Sequence, residues 1–469
     1  MKISVSSQIH ITNPTPAMTS WVRKNLTLDN PDYIKKQRMG FWTGNTPRQL
    51  HLYEQRGDTL VVPYGCLASI WNFWANTDLA EFTGRFAVAP EIRYRECGVV
   101  WNDLYEYQKK AVDTTLDNLT GIIQAPAGSG KTQMGIALAM RLQRRTLWIT
   151  HTHDLLTQSK ERAERYIDKS LIGTITEGKV HLGAGFTFAT VQTLSKIDLT
   201  PYRDYWDTII VDEVHRAIMS PGSVTMFSKV LNNLAARHKY GLSATVHRAD
   251  GLIQATYALV GNVVATVTRE QVAEKIMAVT VLPRFLNTRK STEYCDTDGT
   301  IIYSRLINYL ARNAERNITI VEDLKANASH YNLILSDRLS QLETLMSLLP
   351  PSLRRQAVMI DGKMQSKKAK QERDAALEEM RRGEKRFLFA TYALAREGLD
   401  APILDRLYLT TPQKDAAVVE QSLGRIARTS PGKDIPVVYD YVDGSFRNLV
   451  KMYKRRCTTY RKLGCPINT

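Results

Sequence analysis

The sequence predicts an α/β protein with two tandem parallel-sheet lobes behind a small N-terminal α/β domain. Three observations predict it. From about residue 96, short apolar runs alternate with amphipathic stretches at helical spacing, the pattern of parallel strands joined by crossover helices. After about residue 270 that alternation restarts. Ahead of both, KISVSSQIHI alternates with a period of two, TPAMTSWVRKNL has helical spacing, TLVVP reads as a strand and GCLASIWNFW as an aromatic helix. The expected domains are 1–95, 96–270 and 271–469.

A chain of 469 residues is too long for a single hydrophobic core. At 43% hydrophobic and 23% charged, without a low-complexity tract, it is expected to fold throughout. No apolar run approaches the roughly 18 residues needed to span a bilayer. The start MKISVSSQIHITNP lacks the apolar centre of a signal peptide. A soluble, cytoplasmic protein without a membrane partner is therefore expected. Five cysteines (Cys66, Cys97, Cys295, Cys457, Cys465) show no CxxC spacing, which argues against a zinc site and a disulfide framework. Lys plus Arg outnumber Asp plus Glu by 63 to 47, a net charge of +16 that suits a polyanionic partner.

The most informative segment is GIIQAPAGSGKTQMGIALAMRL, residues 121–142, which reads as strand, small-residue turn and amphipathic helix. Ala125, Pro126, Ala127, Gly128, Ser129, Gly130, Lys131 and Thr132 form a loop whose main-chain N–H groups can wrap phosphates at a helix N-terminus. Gly128 and Gly130 allow the close backbone approach that a Cβ would obstruct. Lys131 would reach the outer phosphates, and the Thr132 hydroxyl would ligate Mg²⁺. Ala125 stands where the general pattern has Gly, a mild departure because the requirement is smallness. ATP with Mg²⁺ is the cofactor pair this loop calls for.

DTIIVDEVH, residues 207–215, is a buried-strand pattern ending in two carboxylates. Asp212 would hold the metal through its water shell. Glu213 would orient and deprotonate the water that attacks the γ-phosphate, and His215 would couple this centre to a neighbouring lobe.

Asp212-Glu-Val-His215 resembles the DExH box of superfamily 2 helicases, whose lobes have a RecA-like fold, and the rest of that family's motif series follows in order. Ser243-Ala244-Thr245 resembles motif III, with an Arg-x-Asp-Gly continuation similar to that of XPB-like and phage UvsW-like DNA helicases. Upstream of the loop, the resemblance implies that Gln108 selects adenine, although Tyr105 and Glu106 replace the usual Arg-Pro. ITHTHDLLTQ and ATVQTL are similar to the motifs that lie against the tracking strand, so Thr152, Thr190 and Gln192 are expected to donate to phosphate oxygens without reading bases. YNLILSDRLSQLETLMSLL resembles motif IV. FLFATYALAREGLDAP resembles motif V, in which Thr391 touches nucleic acid while Gly398 and Asp400 face the nucleotide. QSLGRIARTSPGK matches QxxGRxxR, expected to set two arginines on one helix face. Arg428 is the candidate arginine finger, Arg425 a second phosphate contact, and Gln421 the group that positions water or γ-phosphate.

In the N-terminal domain, Trp71, Phe73 and Trp74 are either core or base-stacking residues. Lys24, Lys35, Lys36, Arg38 and Arg48 form a loose basic set that either grips DNA or is merely solvated. The segment 445–464 is expected to be a final helix with Lys451, Lys454, Arg455, Arg456, Arg461 and Lys462 outward. The resemblance implies an ATP-dependent DNA helicase or translocase acting on single-stranded, forked or branched DNA as a monomer or weak oligomer, with RNA the less favoured partner. A restriction-type motor subunit, an RNA helicase and an ATP-dependent clamp that does not unwind share the same ATPase parts and remain open, though the lobes are flanked by no nuclease-like cluster.

Overall fold

The computed structural model describes the chain apart from residues 75–80, 85, 87–90, 93, 95–96, 127, 177, 216–220, 245–251, 273–276, 361–366, 397–398, 400 and 469, and the side chains at 72–74, 82, 97–98, 221–223, 367–370 and 396. It divides into two compact units, Met1–Thr268 and Arg269–Thr469. Both are layered α/β structures, and among the described residues no helix is long and apolar enough to cross a membrane.

The first unit opens with the period-two segment, which forms the antiparallel pair Lys2–Val5 and Gln8–Thr12. Its alternation places Ile3, Val5, Ile9 and Ile11 inward, against Met18 and Val22 of helix Pro16–Asn25. That helix begins as its sequence dictates: the Thr15 side chain accepts from Met18 N at 3.2 Å, and Pro16 occupies the first turn, where a missing N–H costs nothing. The resulting five-stranded sheet runs Glu54–Arg56, Thr59–Pro63, Gln8–Thr12, Lys2–Val5, Glu81–Gly84.

This sheet is docked on the rest of the same unit. Tyr64 Oη donates to the Arg237 carbonyl at 2.7 Å. At Gly65 an added Cβ would lie 2.6 Å from the carbonyls of Tyr257 and Ala258, so the chain can meet helix Ile253–Val260 only without a side chain there. Lys239, fully buried, donates to the Leu231 carbonyl at 2.7 Å and to Ser7 at 3.2 Å, with its ammonium 5.0 Å above the Tyr64 ring. Burial pushes this amine down to about 7, and the charge of Arg203 adds to the effect. An unfolded lysine titrates near 10.4, so below about pH 7 both states are protonated and the cost of the buried charge is fully present. As the pH rises above that, the folded state sheds its proton first, and stability rises. The thermal midpoint of the wild type, taken relative to Lys239→Met, is therefore expected to climb between pH 6.5 and pH 9. A difference that stays flat or falls over this range would refute the assignment.

The first lobe is an eight-stranded sheet in the order Lys179–His181, Ile172–Thr176, Phe186–Thr190, Thr146–Thr150, Thr208–Val211, His238–Ser243, Thr120–Gln124, Val263–Thr266. All its pairings are parallel except the edge hairpin of Ile172–Thr176 with Lys179–His181. The strands are buried on both faces, which is why they read as unbroken apolar runs.

The second unit carries a six-stranded all-parallel sheet in the order Thr280–Leu286, Val437–Asp443, Arg406–Leu409, Asn332–Ser336, Phe387–Thr391, Ala357–Ile360. The two lobes are thus RecA-like, as expected. The last helix, Arg447–Lys462, buries Leu449, Met452 and Tyr460 and exposes Lys451, Lys454, Arg455, Arg461 and Lys462. Arg456 corrects the expectation of an outward cation. It is buried and forks onto Asp440 through Nε and Nη2 at 2.8 and 2.7 Å, and Tyr460 Oη donates to the same carboxylate at 2.7 Å. Asp440 lies fully buried on a central strand, where an unpaired charge would be costly, and the helix supplies the partner.

Candidate functional site: a phosphate loop and two carboxylates

Strand order decides what meets at the site. The strand Thr120–Gln124, which leads into the phosphate loop, and Thr208–Val211, which leads into Asp212, lie on either side of His238–Ser243. All three run parallel, so their carboxyl ends open on one edge of the sheet, where such folds bind ligands. Ala125 N donates to the Ser243 carbonyl at 2.9 Å, fixing the start of the loop to the middle strand.

Gly128 and Gly130 both have left-handed backbones, with φ of 84° and 80°. Gly130 caps helix Lys131–Leu142, whose first N–H groups face the loop. Gly130 also needs its lack of a side chain for space: a Cβ there would lie 2.3 Å from Gln108 Nε2. Gln108 is buried, donating to the Ser129 carbonyl at 2.7 Å and accepting from Tyr105 N at 2.9 Å. It thereby ties the start of helix Glu106–Leu116 to the loop. Tyr107, which the sequence reading passed over although it adjoins Gln108, donates to the same Ser129 carbonyl at 3.1 Å.

Lys131 Nζ is nine-tenths buried, 3.3 Å from the Ala125 carbonyl and 3.9 Å from Glu213 Oε1. Thr132 follows it in the first turn of the helix, half-buried. Asp212 is buried, its Oδ1 accepting from Glu213 N at 2.9 Å and its Oδ2 from Ser159 Oγ at 3.4 Å. Burial pushes this carboxyl up to about 6, the negative charge of Glu213 pushes the same way, and Lys131 pulls it down. Ser159 belongs to helix His153–Ala163, and no spacing in the sequence marks it as a neighbour of Asp212.

Glu213 has a left-handed backbone with φ of 49°, a conformation costing a residue with a Cβ about 1–2 kcal/mol. The turn swings its carboxylate back across the strand end, where Oε2 lies 3.2 Å from His215 Nδ1. The same nitrogen is 3.1 Å from Ser243 Oγ, so His215 joins the carboxylate to the middle strand.

These groups suit a nucleoside triphosphate and a divalent cation. The Ser129 hydroxyl is buried and makes no hydrogen bond among the described residues, two glycines clear the loop, a helix N-terminus and an ammonium face it, and a buried carboxyl driven up by burial is one whose charge an arriving cation would stabilise. Lys131 and the loop N–H groups would hold the phosphates; Thr132 and Asp212 would hold the metal.

Thr152 sits just past the strand Thr146–Thr150 and Thr190 ends the neighbouring strand Phe186–Thr190, each capping the helix that follows. Their side chains accept from Leu155 N and Thr193 N, both at 3.3 Å. An accepting hydroxyl keeps its proton to donate, so capping and a phosphate contact are compatible. Gln192 Nε2 lies 3.3 Å from His151 Nδ1, and its Oε1 is buried without a hydrogen bond among the described residues.

In the second unit, Thr391 ends its strand and accepts from Leu394 N at 3.4 Å. Arg425 donates from Nε to the Ala395 carbonyl at 2.8 Å and from Nη1 to Leu399 at 3.0 Å, which pins the chain after Thr391. Gln421 is half-buried on the same helix, Ala416–Ile426. That helix stops at Ile426 with Ala427 as its cap, so Arg425 and Arg428 do not share a helix face, contrary to expectation. Arg428 instead stands on the following loop, which Lys433 secures by donating to the Arg428 and Pro402 carbonyls, both at 2.7 Å. Ala127, Thr245, Gly398 and Asp400 lie outside the described residues.

Residues 102–248 match the family model for the type III restriction enzyme res subunit, and 307–430 match the helicase conserved C-terminal domain. The chain is similar to a protein of Acanthamoeba polyphaga mimivirus named as an ATP-dependent RNA helicase, with 26% identity across 73% of this chain; it spans 64% of that protein's length. It is also 26% identical to the DNA 3'-5' translocase XPB2 of Sulfurisphaera tokodaii, across 70% of this chain and 79% of that one. Among solved structures, S. cerevisiae Dbp5 bound to RNA and ADP BeF3 shares the fold, with a TM-score of 0.58 at 17% identity over 80% of this chain and 93% of that one. With both halves of the motor matched in order on one chain and XPB-like proteins among its relatives, the chain belongs to the superfamily 2 helicases.

Proposed function

We propose that the protein is an ATP-dependent DNA helicase or translocase that remodels forked or branched DNA. The observation that carries the reading is the carboxylate pair. Asp212 is buried beside the phosphate loop, and Glu213 is held in a strained backbone that aims its carboxylate toward Lys131 and His215. Strain of this kind is retained where chemistry needs it. A nucleic-acid partner is supported by the net charge of +16, and DNA by the name of the archaeal relative, a DNA translocase.

Bound ATP with its divalent cation supplies the γ-phosphate as electrophile. The chain does the rest by positioning and charge. Lys131 and the loop N–H groups orient the phosphates and offset their charge, while Glu213 orients the water and takes its proton. Through Ser243 Oγ, His215 relates the state of Glu213 to the middle strand. The family resemblance assigns Thr152, Thr190, Gln192 and Thr391 to the phosphates of the strand, and Gln421, Arg425 and Arg428 to the γ-phosphate.

ATPase assays with single-stranded, duplex, forked and four-way DNA and with RNA, at one salt concentration, test the reading. Stimulation by DNA, greatest for forked or four-way substrates, is expected. Stimulation by RNA alone would overturn the DNA assignment. A restriction-type motor is a second reading, favoured by the res-subunit match at 102–248. ATP-dependent cleavage of duplex DNA by the purified protein would favour it over the first.

A further inference from the structure

The first unit carries a projection that the motor chemistry leaves unexplained. The strands Thr27–Asp29 and Gln49–His51 pair as an antiparallel ribbon, and between them the chain makes helix Pro31–Arg38 and a tight loop. Leu28, Leu50 and Leu52 at its base pack on Val224, Leu252 and Ala255 of the motor lobe. Its far end is apolar and open: Met39 is 55% exposed, Phe41 63% and Trp42 86%. A cluster of three large apolar side chains at that exposure is unusual unless it meets a partner.

The tip is rigidly built. Gly40 ends the helix with φ of 66°, and Phe41 N returns to the Lys36 carbonyl at 2.9 Å. Lys36 Nζ donates to Thr46 Oγ1 at 2.6 Å, and Asn30 binds the returning strand through the Pro47 and Arg48 main chain. Gly44, left-handed with φ of 46°, leaves room for the Trp42 ring: a Cβ there would stand 2.5 Å from it. The indole thus rests against Gly44 on one side and faces solvent with the rest. From residue 33 to 51 the chain holds four cations, Lys35, Lys36, Arg38 and Arg48, and no carboxylate. Lys35, Arg38 and Arg48 are exposed.

An exposed aromatic platform on a segment that also presents exposed cations is complementary to a nucleic acid that offers a base face beside its phosphates. We propose that the 27–51 projection binds nucleic acid at a boundary between paired and unpaired strands, with Trp42, supported by Phe41, stacking on an unpaired base while Lys35, Arg38 and Arg48 take the flanking phosphates. The proposal rests on the nucleic-acid reading above, and because the base of the projection is packed on the motor lobe, a strand gripped there moves with that lobe. The candidates chosen from sequence give less: Trp71 is 51% exposed on its own helix, and the side chains of Phe73 and Trp74 lie outside the described residues.

The test is equilibrium binding of the full-length protein, without nucleotide, to a single-stranded oligonucleotide, a forked duplex and a blunt duplex across a salt series. Trp42→Ala is expected to weaken the single-stranded and forked complexes about 5- to 100-fold, with the blunt duplex within about twofold and the salt slope unchanged. Trp42→Tyr should restore most of the loss. Lys35→Gln with Arg38→Gln should instead flatten the single-strand salt slope by about 1.4. Unchanged affinity of Trp42→Ala for the fork would overturn the proposal and leave the motor assignment intact. Equal loss on all three substrates would overturn it too, because Trp42 would then be holding the projection's shape, and a fork-independent projection would point to a protein partner. Trp42-dependent binding without any nucleic-acid-stimulated ATPase would uphold the proposal and refute the motor reading.

Discussion

Replacing Glu213 with glutamine is expected to lower nucleic-acid-stimulated ATP turnover about a hundredfold or more while leaving nucleotide affinity within a few fold. The two side chains have the same shape, so the left-handed turn at φ of 49° and the packing around it should persist. The amide, however, cannot accept the proton of the attacking water. Neither can it offset the ammonium of Lys131, 3.9 Å from Oε1, and the phosphates need that cation uncompensated rather than paired. Binding should therefore survive or tighten as chemistry fails. Single-turnover hydrolysis alongside equilibrium binding of a fluorescent nucleotide separates the two, and turnover within about threefold of wild type would remove Glu213 from the role of base.

Lys131→Ala should fail differently. The lysine is nine-tenths buried at the mouth of the loop, and its ammonium lies 3.3 Å from the Ala125 carbonyl and 3.9 Å from the Glu213 carboxylate. Removing it takes away the positive charge that meets the phosphates and leaves Asp212 and Glu213 as adjacent carboxylates with less to offset them. Loss of both nucleotide affinity and turnover is expected, each about a hundredfold or more, with the fold retained by far-ultraviolet circular dichroism. A variant that keeps wild-type affinity and loses only turnover would place the lysine outside the phosphate cradle. The contrast between the variants is the sharper test, because one should separate binding from chemistry and the other should not.

Several features were legible in the sequence because each depends on a short stretch of chain. The phosphate loop is written in contiguous residues, since small side chains and a following helix N-terminus are all it requires. The strand before Asp212 reads as buried because Ile209, Ile210 and Val211 follow one another, as a parallel strand covered on both faces requires. Other features were misjudged for a definable reason. Arg456 shares its spacing with the exposed cations of the last helix, and only the position of Asp440 on the neighbouring strand distinguishes it. Arg425 and Arg428 are three apart, but the helix ends between them, and nothing in GRIARTSPGK fixes that end before the Pro and Gly several residues later. In the N-terminal region the sequence pointed to Trp71, Phe73 and Trp74 and not to Trp42. Tryptophan at 71 and at 42 differ in what surrounds them, which composition does not record.

What the sequence determined by itself is the family and the order of its candidate parts: a loop suited to phosphates, a carboxylate pair about eighty residues later, and a second parallel-sheet lobe with its arginines. Those parts are local because phosphate binding and strand termination are backbone properties of a few consecutive residues. Tertiary structure alone decided who stands behind each part. Gln108 braces the loop at Ser129, Ser159 reaches Asp212, Lys239 ties the N-terminal sheet to the first lobe, and Trp42 is left in the open. Each of these depends on burial and on partners many residues away, and burial is settled only when the sheets have packed.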